Sequence, residues 1–416
     1  MSAGPATADA IASEIDSLIR SDGGRLLSVL AVNLRDLQLV EDCLQDAIES
    51  ALIHWGRSGL PSAPSAWLMR TARRKAIDRI RRAVNFRHKA KELEALLALE
   101  DRAEPDETPE SIPDERLKLI FACCHPALDR QVSVALTLRS ICGLTTEEIA
   151  RAYLVGTDAM AQRLVRARHK IARAGIGYEV PGPEGFAARL EAVLNVIYLI
   201  FNAGYAGASD TYLRVSFAEE AIRLAQLLDT LVPHEPEIEG LGALLGLHHA
   251  RRAARLTAEG DLVPLEHQDR TVWDHAAIAA HKEALVRALR RGRPGLYQLQ
   301  AAIAAVHAEA PSFSQTDWQE IVLIYSELIR RSPNPVYEVN RAVAVSYVAG
   351  PGEALRLAEP LGKHLSRYQP YQAALADLNA RLGNTEAAAK AYNLAIALAT
   401  SATERNYLAR QRASLA

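Results

Sequence analysis

Residues Gly143 to Ile171 read GLTTEEIARAYLVGTDAMAQRLVRARHKI, and this stretch decides the fold of the N-terminal half. Thr145 or Thr146 suits an N-cap, and Glu147 and Glu148 favour the first turn of a helix running to about Tyr153. The Leu154-Val155-Gly156 corner breaks that helix. Thr157 or Asp158 is expected to cap the next one, which continues past Arg168. On this second helix Met160, Leu164, Ala167 and Ile171 recur at helical spacing and predict one buried stripe. Arg163, Arg166 and Lys170 share another face, with Gln162 beside them. An apolar back with a basic, amide-bearing front suits the major groove: Arg bridges guanine O6 and N7, Gln bridges adenine N6 and N7, and other cations neutralise phosphates. The bland alternative is a solvated basic face. The pattern predicts a helix-turn-helix.

Outward from this motif the charge is segregated. The chain has 416 residues, room for two or three domains, and a net charge of −2, so any nucleic-acid affinity must be local. Between Ala66 and Lys91 stand Arg70, Arg73, Arg74, Lys75, Arg79, Arg81, Arg82, Arg87, Lys89 and Lys91, against Asp78 alone. From Glu92 to Glu115 the balance inverts, ending in RAEPDETPESIPDE, a composition expected of a disordered linker. Upstream, LQLVEDCLQDAIESALIHW (Leu37 to Trp55) predicts a helix that buries Leu44, Ala47, Ile48 and Ala51. Its opposite face carries Asp42, Gln45, Asp46 and Glu49, either a solvated stripe or a docking surface for a polar partner. Before it, Ile11 to Arg35 reads as helix with a Gly23-Gly24 interruption.

A loop, GRSGLPSAPS, leads into AWLMRTARRKAIDRIRR, whose Leu68, Ala72, Ala76 and Ile80 point to a core. Basic side chains beside Trp67 suit single-stranded nucleic acid, with cations on phosphates and a ring against a base. The alternative places Trp67 in the core under a solvated basic helix.

The order of an EDCLQDA helix, a Pro-rich loop, WLMRTARRKAIDRIRR, an acidic linker and the helix-turn-helix resembles bacterial RNA polymerase sigma factors of the extracytoplasmic-function (ECF) type. The resemblance runs over roughly residues 10 to 175. It implies a sigma region 2 bundle over 10–91, an acidic linker over 92–113 that threads the polymerase's nucleic-acid channels, and sigma region 4 over 114–175. Asp42, Gln45, Asp46 and Glu49 would dock on core RNA polymerase. Trp67, Arg70, Arg73, Arg74, Lys75, Arg79, Arg81 and Arg82 would melt and hold the −10 element of promoter DNA. Thr157, Gln162, Arg163, Arg166 and Lys170 would read the −35 element. Two departures stand out: Ala161 where such factors often carry Lys or Arg, and Leu154 where a turn glycine is usual.

After GIGYEVPGPEG the chain is Ala/Leu-rich and helical in pattern to its end. Gly350-Pro351-Gly352-Glu353-Ala354-Leu355 and Gly383-Asn384-Thr385-Glu386-Ala387-Ala388 echo each other 33 residues apart, near the tetratricopeptide spacing of about 34. VLNVIYLIFNAGYAGASD (Val193 to Asp210) and FACCHPAL (Phe121 to Leu128) narrow the resemblance to ECF sigma factors with a long tetratricopeptide-like extension. That extension, over 185–416, is expected to be regulatory, with an intramolecular contact to the sigma domains. The whole chain is expected to be all-α.

Rival chemistry fares poorly. Four cysteines make no disulfide framework, which points to a reducing compartment. Cys123, Cys124 and His125 with Cys43 or Cys142 lack the paired spacing of a zinc site and fit core packing better. His234-Glu235 opens like HExxH, but Ile238 stands at the second His position. There is no glycine-rich nucleotide loop and no nucleophile elbow. No enzyme, no cofactor and no metal are therefore expected. The most apolar run, Val193 to Phe201, is too short to span a bilayer, so a cytoplasmic protein without membrane contact is expected. An ordinary helix-turn-helix regulator with a helical sensor domain would explain the motif and the repeats. It would leave the basic helix and the acidic linker without a purpose, as would a repeat scaffold.

Overall fold

The computed structural model describes residues 8–82, 115–153, 155–206, 211–257, 260–399 and 401–415. The acidic linker, the cations beyond Arg82, the Arg82 side chain and Leu154 lie outside the described residues. The fold is all-α, and the described residues hold no strand beyond an isolated Leu256–Leu262 bridge. The chain divides into two compact units, residues 1–200 and 201–416.

The first unit begins with α1 (Ala8–Leu34), α2 (Leu37–Ser58) and α3 (Pro64–Arg82). Contrary to expectation, α1 runs unbroken through Gly23-Gly24. Gly24 is there for proximity: a Cβ at that position would lie 2.6 Å from the Ile141 carbonyl oxygen. Arg35, at φ 54, turns the chain, and Asp36 caps α2 by accepting from the Leu39 amide at 3.1 Å. The core of α2 is Leu37, Val40, Cys43, Leu44, Ala47, Ala51 and Trp55, with Ile48 half-buried at its margin. On α3 the expected Leu68, Ala72, Ala76 and Ile80 are buried, joined by Met69, Arg73 and Ile77. That stripe is wider than predicted because α3 packs on both α1 and α2.

Among the described residues four further helices follow before the boundary helix: α4 (Arg116–Cys123), α5 (Arg130–Ser140), α6 (Thr146–Ala152) and α7 (Thr157–Arg173). Asp129 caps α5 through the Gln131 and Val132 amides. The next helix, α8 (Pro183–Ala206), spans the division between the units. Its first turns belong to the first unit, where Arg189 donates to the Phe121 carbonyl at 2.7 Å and Phe186 meets Phe121 edge-on. The 185 boundary expected from the linker composition therefore falls inside a helix already packed on what precedes it. By length and composition α8 could cross a membrane, which the shorter apolar run had not suggested. Its Leu190, Val193, Leu194, Ile197, Ile200 and Phe201 are buried in the folded chain.

The second unit continues through α9 (Thr211–Leu231), α10 (Pro236–His249), α11 (His275–Leu289), α12 (Leu296–Glu309) and α13 (Trp318–Arg331). It ends with α14 (Pro335–Val348), α15 (Pro351–Ala358), the short α16 (Gly362–Leu365), α17 (Gln369–Arg381), α18 (Thr385–Leu398) and α19 (Ala402–Ala413). Helices α14 and α15 pair, as do α17 and α18. The second pair begins 34 residues after the first at both members, 335 to 369 and 351 to 385. Gly350 (φ 87) is the N-cap of α15, and Gly383 (φ 77) stands one residue before Asn384, the N-cap of α18; both hold a positive φ that glycine adopts without Cβ strain.

Candidate nucleic-acid interface

The α2–α3 surface carries a hollow of about 660 Å³ lined by Ser50, Ile53, His54, Trp67, Arg70, Thr71 and Arg74. Trp67 is half-buried rather than submerged in the core. It meets Trp55 edge-on at 5.4 Å and stacks with His54 at 5.7 Å. An aromatic wall next to two exposed guanidinium groups suits a base and the phosphates flanking it. Sequence reading missed His54. Its signal was weak: a polar aromatic in the last turns of α2, next to the loop that delivers Trp67.

The cations of α3 separate into three groups. Arg70, Arg74 and Arg81 are exposed and Lys75 is half-exposed, as a phosphate-tracking role requires. Arg73 is only 6% exposed, which corrects its assignment to DNA: it lies in helical phase with Met69, Ala76, Ile77 and Ile80, the buried stripe. Arg79 is turned to α2, where Nη1 donates to Asp42 at 3.2 Å and Nη2 to Asp46 at 2.7 Å. Asp42 also accepts from Gln38 at 2.9 Å. Two of the four expected docking residues are thus held by a cation that the resemblance had assigned to nucleic acid. Gln45 and Glu49 remain exposed.

In the helix-turn-helix, Thr145 and Glu148 form a reciprocal capping box: the Glu148 amide donates to Thr145 Oγ1 at 3.1 Å, and the Thr145 amide to Glu148 Oε2 at 2.7 Å. The second cap differs from expectation, since Gly156 occupies the N-cap of α7 and Thr157 and Asp158 lie in its first turn. Met160, Leu164, Ala167 and Ile171 are buried, while Thr157, Gln162, Arg163, Arg166 and Lys170 are exposed together. Arg166 Nε rests on the Gln162 carbonyl at 3.3 Å, folded along its own helix. Arg163 borders a smaller hollow of about 220 Å³ between α5 and α7, walled by Asp129, Gln131 and Tyr153.

Arg168 is the second residue that sequence reading missed. It lies on the apolar stripe, 8% exposed on its side chain, paired with Glu41 of α2. A charge on a helix's buried side needs a buried partner, and that rule was the available signal.

The cysteines behave as small core residues. Cys123 and Cys124 are buried, and Cys124 Sγ lies 3.5 Å from Thr137 Oγ1. Burial pushes the Cys124 thiol up to about 12, far from the thiolate a metal would need. His125 is engaged locally, with Nδ1 accepting from the Ala127 amide at 3.1 Å.

A sigma-70 region 2 family model matches residues 18–85, the bundle that holds the hollow. The chain is also 29% identical to the ECF RNA polymerase sigma factor SigM of Mycobacterium tuberculosis over 163 residues, 39% of this chain and 77% of that protein. The chain belongs to the ECF-type sigma factors. This sigma factor carries an extra C-terminal domain, since a model described as a family of unknown function (DUF6596) matches residues 189–289. An uncharacterised protein of Rhizobium meliloti (strain 1021) is 43% identical over 409 residues, 97% of this chain and 96% of its own length. No solved structure matches the chain significantly. Sigma factors are a non-enzymatic family of transcription-initiation proteins, and membership implies core RNA polymerase as the partner.

Proposed function

We propose that this sigma factor directs core RNA polymerase to a small set of promoters, with the α2–α3 hollow holding unpaired −10 bases and α7 reading the −35 duplex. The hollow carries the reading. A ring, Trp67, beside exposed Arg70 and Arg74 suits a melted strand, which an ordinary duplex-binding regulator has no need to hold. Arg81 and Lys75 extend the cationic track, and Gln162, Arg163 and Arg166 supply base contacts with Thr157 and Lys170 on phosphates. Gln45 and Glu49, with Asp42 and Asp46 fixed by Arg79, form the polymerase-docking face.

The C-terminal domain is regulatory in this reading, a tetratricopeptide-like array. The 34-residue repeat of the α14–α15 and α17–α18 pairs supports the array. Its size supports regulation, since promoter recognition needs far fewer residues.

Run-off transcription with purified core polymerase, with and without the protein, on fragments of its own genome tests the reading. Transcripts that start at defined sites only when the protein is added are expected. No transcript and no binding to core, from the full chain and from a chain ending at Ala206, would overturn it. The cut is placed there because one at Gly182 would strip Arg189 and Phe186 from Phe121.

A further inference from the structure

In the second unit, the last turns of α14 and α17 carry an aromatic surface that promoter recognition leaves unused. Tyr347 of α14 is 38% exposed, yet its ring stacks on that of Trp318, the first residue of α13, at 4.1 Å and 16°. Trp318 is itself clamped edge-on by His307 and Phe313, each at 5.2 Å. Arg381 of α17 lies over the Tyr347 ring at 4.7 Å. Its Nη1 donates to Ser346 Oγ at 2.8 Å and its Nη2 to the Ser346 carbonyl at 3.1 Å. Indole, phenol and guanidinium are thereby fixed against one another at a face that solvent reaches.

Carboxylates crowd this face. Asp377, one turn before Arg381, has 53% of its side chain exposed and meets that guanidinium only at 3.5 Å. Glu266, between α10 and α11, is exposed and takes part in no ion pair among the described residues. Asp261 of the same segment pairs with Arg410, which fastens the segment to α19, the helix of Tyr407. Tyr407 packs in one cluster with Tyr392 and Ala376, the neighbour of Asp377. Burial, then the charges of Asp377 and Glu266, push the phenols of Tyr347 and Tyr407 up. Burial and Glu266 likewise raise the Asp377 carboxyl against the pull of Arg381. Two carboxylates thus share one guanidinium. The C-termini of α14 and α17 add partial negative charge, and α14 has no basic residue in its last turn.

An exposed aromatic face with surplus carboxylates attracts an ammonium or guanidinium group, through the ring quadrupole and through charge. A clamped Trp–Tyr pair loses little entropy when it is covered, and such residues carry much of the energy of protein interfaces. Val348, which follows Tyr347, is 51% exposed, and Leu382, which follows Arg381, is 40% exposed. Apolar side chains beside the negative charge suit a peptide better than a bare cation.

We propose that Trp318, Tyr347, Asp377, Glu266 and Tyr407 form a docking surface for a partner peptide that carries Lys or Arg next to apolar residues. The incoming cation lies between the Tyr347 ring and the two carboxylates, and the apolar residues cover Val348 and Leu382. The surface belongs to the second unit alone, so it stands or falls separately from promoter recognition.

Fluorescence anisotropy of labelled peptides with the full-length protein tests the surface. One peptide alternates Lys or Arg with Leu, and a second has Glu in place of every Lys and Arg. The basic peptide should bind and the acidic one should not. Tyr347→Ala and Asp377→Asn should each weaken the basic peptide on the order of tenfold, while Tyr347→Phe, which keeps a ring, should bind it nearly as well. Glu266→Lys should weaken it too, and its exposed, unpaired position leaves the fold undisturbed. Circular dichroism confirms that each variant is folded. Unchanged binding in Tyr347→Ala and Glu266→Lys would move the peptide to the acidic stretch from Glu92 to Glu115 and overturn the surface. Equal binding of the two peptides would overturn it as well. Displacement of the peptide by spermidine at equal concentration would make a free polyamine the occupant and overturn the peptide assignment.

Discussion

Arg79 of α3 and Asp46 of α2 are joined by a 2.7 Å hydrogen-bonded ion pair, which sets a cation of the basic helix in the middle of the acidic face of α2. In the proposed reading the pair ties two jobs of region 2 together, because the helix proposed to meet nucleic acid also orients the carboxylates proposed to face polymerase. At 39% and 32% side-chain exposure it contributes modestly to stability, about 0.2–1 kcal/mol.

Arg79 and Arg74 should therefore separate in a salt titration of nucleic-acid binding. Arg74→Ala should lower the slope of log K against log salt by about 1, the signature of one lost phosphate contact. Arg79→Ala should leave the slope unchanged and instead weaken binding to core polymerase. Equal slope changes in both variants would return Arg79 to the DNA face.

Trp67 should matter for single strands and little for duplex. Trp67→Ala is expected to weaken binding of a −10 single-stranded oligonucleotide by about 1–3 kcal/mol, the worth of one base stacked on a ring. Trp67→Phe should retain most of that affinity, since a ring still walls the hollow. Fluorescence anisotropy with matched single- and double-stranded probes reads both.

Arg163→Ala should cost about 1–3 kcal/mol on a cognate −35 duplex if the guanidinium bridges a base, with little loss on a scrambled sequence. The exposed, unburied front of α7 permits that contact. Identical losses on both duplexes would make Arg163 a phosphate contact.

The second unit should weaken in mild acid. His248 and His307 are held down to about 3 and about 4, first by burial and then by the nearby Arg251 cation, against an ordinary value of 6.5. The unfolded chain binds these protons first. Stability is thus full above pH 6.5 and is lost as pH falls from there towards 4. On the order of 1–2 kcal/mol for each His should be missing at pH 5, at 1.36 kcal/mol per unit. Urea unfolding at pH 7.5 and 5.0 measures the loss, and His248→Gln should reduce its pH dependence.

Gly350→Ala and Gly383→Ala should each cost about 1–3 kcal/mol, because both glycines hold a positive φ that strains a Cβ. Thermal unfolding measures each loss.

What the sequence determined by itself was local. The stripe of Met160, Leu164, Ala167 and Ile171, the basic front of α7 and the capping box of Thr145 and Glu148 all follow from helical period and capping chemistry within a few residues. The order of acidic helix, basic helix and helix-turn-helix likewise carried the family. Only the tertiary structure decided which cations are available. Arg73 faces the core, Arg79 faces Asp42 and Asp46, and Arg168 faces Glu41, 127 residues away. Neighbouring helices choose among the sides of a helix, and a one-dimensional pattern does not contain those neighbours. The same holds for Gly24, which a local reading takes as a helix breaker. Within the helix it costs about 1 kcal/mol relative to alanine. Packed against Ile141 it becomes the one residue small enough to let two backbones meet.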